Sequence, residues 1–251
     1  MTPADLVAAL SAAGCVFAED EAALLLAAPG PVEPLLARRL AGEPLEHVLG
    51  WAAFDGGRVA VDPGVFVPRR RSELLVRLAV AGLAAPAVVL DLCCGSGALG
   101  AAVRRRVPGV ELHAADADPA AVACARRNLP RGTVWQGDLW TALPASLRGR
   151  LDVVLANAPY VPTAGIALMP PEARDHEPRT ALDGGGDGLD VHRRIAAGAA
   201  GWLSPGGRLV IEVSRAQAPA ALGLFAAAGL QPRLHTDDDL DATAILGVRR
   251  S

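Results

Sequence analysis

The sequence predicts an α/β fold, an open and mostly parallel sheet of seven strands covered by helices. Three observations carry this. From Ala87 onward, short Val/Leu-rich runs alternate with Ala-rich stretches of helical spacing, the pattern of repeated βα units. The first run is followed by a glycine-bearing turn, Cys93-Cys94-Gly95-Ser96-Gly97, and the second ends at Asp116. Hydrophobic residues make up 51% of the chain and aromatics only 4%, so a full core is available and is built mostly of Ala, Val and Leu.

Taken in order, residues 2–28 are expected to be helical, with Leu6, Val7, Leu10 and Ala13 at helical spacing. Ala22–Ala28 gives a second short helix, stopped by Pro29-Gly30-Pro31, and Val32–Leu40 a third that ends at Gly42. These helices are too small for a core of their own and are expected to pack on the rest of the chain. Trp51–Phe54 and Arg58–Val61 flank Asp55-Gly56-Gly57, a hairpin signal. Val65-Phe66-Val67-Pro68 then leads into a helix through Leu74, Leu75, Leu78 and Ala79, with Ser72 as its N-cap. The sheet strands are expected at Val88–Leu90, Val110–Ala115, Thr133–Trp135, Leu151–Ala156, Arg208–Val213, Pro232–His235 and Ala244–Val248. Helices run through Ala120–Asn128, Val191–Trp202 and Pro219–Ala228. The chain thus divides into a helical region (1–45), a hairpin linker (46–71) and a sheet domain (72–251).

Composition removes several functions. All 24 basic residues are Arg, which excludes a lysine Schiff base or lysine general base. A net charge of −3 supplies no global field for nucleic acid. The runs Arg69–Arg71 and Arg104–Arg106 read as solvated faces or as contacts for a local acidic partner. The four cysteines form no CxxC pair, so neither a zinc site nor a thioredoxin motif is supported and no metal is expected. The N-terminus lacks a basic segment followed by an apolar core, and Ala22–Ala28 is too short to span a bilayer. The expectation is a cytoplasmic protein without a membrane partner.

Two stretches carry chemistry. Asn157-Ala158-Pro159-Tyr160 closes the run Leu151–Ala156. Asn offers an acceptor oxygen and two donors, Pro159 biases Ala158 toward an extended backbone, and Tyr160 supplies a flat face. Such a turn suits the grip of a planar –NH2 group by its two hydrogens; it is equally consistent with a strand ending in a turn beside a buried Tyr. Gly95–Gly100 matches GxGxxG, and Asp116 follows at the distance of a ribose-binding acid. That pattern fits a nicotinamide dinucleotide or S-adenosylmethionine. The chain offers no hydride-handling His or Lys, so S-adenosylmethionine is the better partner for a nitrogen held at Asn157. Asp138 follows the third strand and either accepts from an adenine amino group or caps the next helix, with Leu139 placed to pack on the base.

From Leu45 to the C-terminus these residues together resemble the protein-(glutamine-N5) methyltransferases that modify peptide chain release factors. Gly50–Glu73 is similar to the family's hairpin and its Ile-Pro-Arg-Pro-Glu-Thr-Glu segment, Asp91–Gly97 to its cofactor loop, and Ala156–Tyr160 to its Ser-Asn-Pro-Pro-Tyr motif. Glu177–Leu189 is similar to its Glu-Pro…Asp-Gly-Leu block, and Leu209–Glu212 with Gln217 to its Leu-Leu-Glu…Gln segment. The resemblance implies a Rossmann-like class I methyltransferase fold with S-adenosylmethionine held by Cys93, Cys94, Gly95, Ser96, Gly97, Asp116, Asp138, Leu139 and Asn157. It also implies catalysis at Asn157, Ala158, Pro159 and Tyr160, a substrate-binding N-terminal region, and a release factor as protein substrate. Departures stand at Ala158 for a proline, at Cys93 for a glycine, and at Arg70-Arg71 for a neutral and an acidic residue. His176 is the nearest ionisable residue in sequence and is read chiefly as a surface or loop-capping residue rather than a base. The rival readings are an adenine-N6 nucleic-acid methyltransferase and a non-catalytic binding protein that keeps the fold.

Overall fold

The computed structural model describes residues 1–250. Four helices open the chain: α1 (Pro3–Ala12), α2 (Ala18–Ala27), α3 (Val32–Leu40) and α4 (Leu45–Leu49). A hairpin of β1 (Trp51–Phe54) and β2 (Gly57–Ala60) and helix α5 (Glu73–Val80) lead into the sheet. Its parallel strands are β3 (Val88–Leu92), β4 (Glu111–Asp116), β5 (Thr133–Gln136), β6 (Leu151–Ala156) and β7 (Leu203–Glu212). The last two strands, β8 (Leu230–Asp237) and β9 (Ala242–Arg249), pair antiparallel, and β9 also runs antiparallel to β7. Between strands lie α6 (Ala98–Arg106), α7 (Pro119–Asn128), α8 (Pro171–His176), α9 (Asp190–Trp202) and α10 (Ala218–Ala227).

The strand order β5-β4-β3-β6-β7-β9-β8 runs outward from β3 in both directions. The order therefore reverses between β3 and β6, and a crevice opens at their carboxyl ends. Successive side chains of a strand point to opposite faces. Val89, Val153, Leu155 and Val210 accordingly pack with α5, α6, α7 and the hairpin. Leu90, Leu92, Val154, Ala156, Leu209 and Ile211 pack on the other face with α9 and α10. This is the two-sided burial that apolar parallel strands require.

Two expectations need correction. The N-terminal helices pack mainly on one another: Leu6, Leu10, Ala18, Ala22, Leu25, Leu36 and Val48 form a separate cluster. The extra helix α4 brings Val48 to it. An ion pair of Arg39 with Glu172, and a 2.8 Å bond between the His47 ring and the Val65 carbonyl, join this cluster to the rest. Ser72 does not cap α5. Its backbone is already helical (φ −70°, ψ −7°) and its hydroxyl makes no capping bond. A 3₁₀ turn at Arg70–Ser72 runs straight into α5, so carbonyls of that turn serve the first helical N–H groups. Among the described residues, no helix is long and apolar enough to cross a membrane.

Phe225 of α10 is fully buried, with its ring against β9 at Gly247, where a Cβ would collide with it. Phe225→Ala is expected to lower the unfolding free energy by about 3–5 kcal/mol, read from the urea midpoint.

Candidate active site

A cavity of about 220 Å³ lies at the carboxyl ends of β3, β4, β5 and β6. Its wall brings together Cys93, Cys94, Gly95 and Ser96 after β3, Asp116 at the end of β4, Asp138 and Leu139 after β5, and Asn157 and Pro159 after β6. Phe66, Pro68 and Ser72 of the linker close one side. Gly97, Ala158 and Tyr160 lie off the wall. Gly97 is the N-cap of α6 at φ +78°, and a Cβ there would stand 3.0 Å from Leu129. Ala158 is 1% exposed, and Tyr160 sits behind the turn. His176 ends α8 beside Gly42, away from the cavity.

The loop after β3 is held rigid from below. Asp91 Oδ2 accepts the Gly100 N–H at 2.8 Å, and the carboxyl is wholly buried with Oδ1 unpartnered. Burial pushes this carboxyl up to about 8. Asp116 accepts from the Gly95 N–H at 2.8 Å and the Asp118 N–H at 3.0 Å, which ties the loop to β4. A carboxylate has about four acceptor sites, so Asp116 retains capacity for a diol, and burial pushes it above its ordinary value. Asn128 of α7 donates to the Ser96 and Ala60 carbonyls, each at 2.8 Å, and accepts from the Ala60 N–H at 2.9 Å. The loop is thereby bonded to the hairpin.

Two residues of this wall carry backbone strain. Cys93 adopts φ +57° and Leu139 φ +48°, conformations costly for residues with a Cβ. A glycine in place of Cys93 would bear no such cost. Asp138 does not cap the turn after it; its side chain pairs with Arg194 of α9, while Thr141 bonds its backbone carbonyl at 2.6 Å. Burial and the carboxylates of Asp116 and Asp91 raise the Cys93 thiol, which stays neutral. The wall thus fits an adenosyl ligand: glycines beside an open pocket, a carboxylate for a diol, an apolar side chain for a base, and no cation to repel a sulfonium except Arg194, already paired with Asp138.

The turn after β6 is fixed by a polar network. Asn157 Nδ2 donates to Ser72 Oγ at 3.0 Å, and Ser72 Oγ donates to Glu212 Oε2 at 2.6 Å. Tyr160 OH and Arg71 Nε donate to Glu212 Oε1 at 2.9 and 3.0 Å. Gln217 Nε2 donates to the Tyr160 and Asp187 carbonyls at 2.8 and 3.0 Å, and Gly188 packs so closely on the former that a Cβ would collide with it. Glu177 holds the linker by accepting from the Val67 N–H at 3.0 Å and from Arg69 at 2.7 Å. Sequence reasoning missed the roles of Asp91, Ser72, Glu212 and Arg194. Ser72 gave a false helix-cap signal, and the partners of Glu212 lie 52 to 141 positions away.

Residues 57–169 match the methyltransferase small domain family. The chain is 36% identical over 219 residues to a release factor glutamine methyltransferase of Geobacter sulfurreducens, covering 86% of this chain and 76% of that protein. It is 38% identical over 235 residues to a 4-amino-L-phenylalanine/4-methylamino-L-phenylalanine methyltransferase of Streptomyces pristinaespiralis, covering 88% and 78%. In shape it is similar to a methyltransferase from Pyrococcus furiosus, with a TM-score of 0.58 at 15% identity over 77% of this chain and 89% of that one.

The loop generates two expected outcomes. Cys93→Gly should unfold at the same or a higher urea concentration than the parent, whereas Cys93→Val should unfold at a lower one, since a β-branched residue is worst at positive φ. Between about pH 4 and pH 8 the native Asp91 carboxyl holds a proton that the unfolded chain has released. Its stabilising contribution is therefore complete below the unfolded value and is lost as pH rises through the folded one. Asp91→Asn should remove this slope, so its urea midpoint should gain on the parent steadily from pH 5 to pH 8.

Proposed function

The chain belongs to the family of release factor glutamine methyltransferases, and we propose that it methylates the side-chain amide nitrogen (N5) of a glutamine in a peptide chain release factor, with S-adenosylmethionine as donor. One observation carries the reading: Asn157 and the glycine loop share the wall of a single cavity at the switch point of the sheet. When bound, S-adenosylmethionine supplies an electrophilic methyl group on a sulfonium.

A carboxamide nitrogen is a poor nucleophile because its lone pair is conjugated with the carbonyl, so the task of the chain is orientation. Asn157 Oδ1 accepts one amide hydrogen. The carbonyl of Ala158, the residue between the wall residues Asn157 and Pro159, accepts the other. Pro159 has no N–H to compete for that site. The two acceptors aim the nitrogen and stabilise positive charge as it grows there. Alignment of two bound reactants contributes ~7–11 kcal/mol toward the barrier. No strong base is needed, because the methylated amide loses its proton readily after transfer. The N-terminal helices, joined to α8 by the Arg39–Glu172 pair, form the grip on the protein substrate.

The test uses labelled S-adenosylmethionine, a bacterial release factor and mass spectrometry to locate the methylated residue. Free 4-amino-L-phenylalanine and duplex DNA serve as rival acceptors; methylation of either in place of the release factor overturns the reading. Asn157→Ala should abolish transfer while keeping cofactor affinity within about tenfold, ~1.4 kcal/mol.

A further inference from the structure

We propose that Glu212 and Ser72 form a positioning relay that decides which end of the Asn157 amide faces the substrate. The inference rests on the reading of Asn157 as an acceptor for a substrate –NH2 group. The oxygen and nitrogen of a carboxamide are alike in shape, and a half-turn of the side chain exchanges them. Catalysis tolerates only one arrangement, because an Asn157 –NH2 turned to the cavity would meet the substrate's own donors.

The choice is made two residues away. A carboxylate only accepts hydrogen bonds. Glu212, 1% exposed, faces the Arg71 guanidinium and takes the Ser72 hydroxyl proton at 2.6 Å. Ser72 has a single hydroxyl proton, so toward Asn157 its oxygen is left only as an acceptor. The Asn157 atom 3.0 Å from it must therefore be Nδ2, and Oδ1 is left without a protein bond on the cavity wall. Tyr160 and Arg71 hold the other carboxylate oxygen, so Glu212 does not turn away from Ser72. Remove the acceptor-only group at 212 and Ser72 is free to donate to Asn157 instead, which reverses the amide. Neither residue touches the reacting atoms in this scheme; both act through Asn157.

The experiment compares Ser72→Ala, Ser72→Thr, Glu212→Gln and Asn157→Ala, measuring kcat and KM on a release factor, S-adenosylmethionine affinity by calorimetry, and thermal midpoint. Ser72→Ala and Glu212→Gln are expected to lower kcat by about 100-fold, the scale of a small misplacement at the reacting centre, with cofactor affinity and KM held. Ser72→Thr, which keeps the hydroxyl, restores most of the loss. Parent-level kcat in both Ser72→Ala and Glu212→Gln, with Asn157→Ala inactive, overturns the relay and leaves the amide reading standing. Loss of cofactor affinity in step with kcat also overturns it, since that marks a general packing role. Full turnover in Asn157→Ala sinks the amide reading beneath it.

Discussion

The buried carboxylate of Glu212 is the contact on which the site depends. It lies at the end of β7 and receives the Ser72 hydroxyl, the Tyr160 hydroxyl and the Arg71 guanidinium. Its backbone carbonyl also bonds the ring of buried His192 at 2.8 Å, and burial pushes that imidazole below its ordinary value. One residue thus joins the linker, the turn after β6 and α9. A buried acid costs several kcal/mol when unpaired, so each of its donors is strongly constrained in place. Rigidity of the turn is a by-product of satisfying this charge.

The same contact gives a departure from the family's segment a place in the site. Where the family's segment has an acidic residue, this chain has Arg71. Arg71 pairs with the buried Glu212 carboxylate and also lies over the Tyr160 ring at 5.8 Å. Arg70, the other departure, belongs to the same short turn. The Arg69–Arg71 run is therefore not simply a solvated face. Arg69 pairs with Glu177 and Arg71 with Glu212, both carboxylates being buried.

The features legible in the sequence are those encoded locally. The βα alternation, the glycine loop and the Asn157 turn each rest on neighbours a few positions apart, and their strands and helices fall close to the expected bounds. The family was legible because several such local signals coincide. The parts that were not legible depend on distant partners. Ser72 has the residue type of a helix cap, and only a Glu 140 positions later redirects its hydroxyl. Asp138 has the residue type of a helix cap, yet its side chain pairs with Arg194 of α9, 56 positions away. The separate N-terminal cluster was not legible because α4, which brings Val48 to it, is five residues long and too short to announce itself by periodicity.

Asn128 gives the loop beneath the cavity a mechanical character. Its carboxamide spans the β2 backbone at Ala60 and the Ser96 carbonyl, so two pieces of main chain from distant parts of the sequence meet on one side chain. The hairpin cannot fray without releasing the ligand loop, and a ligand that orders the loop stiffens the hairpin as well. Local opening of the two segments is therefore expected to be one cooperative event, with backbone amides in both sharing a common protection against solvent exchange.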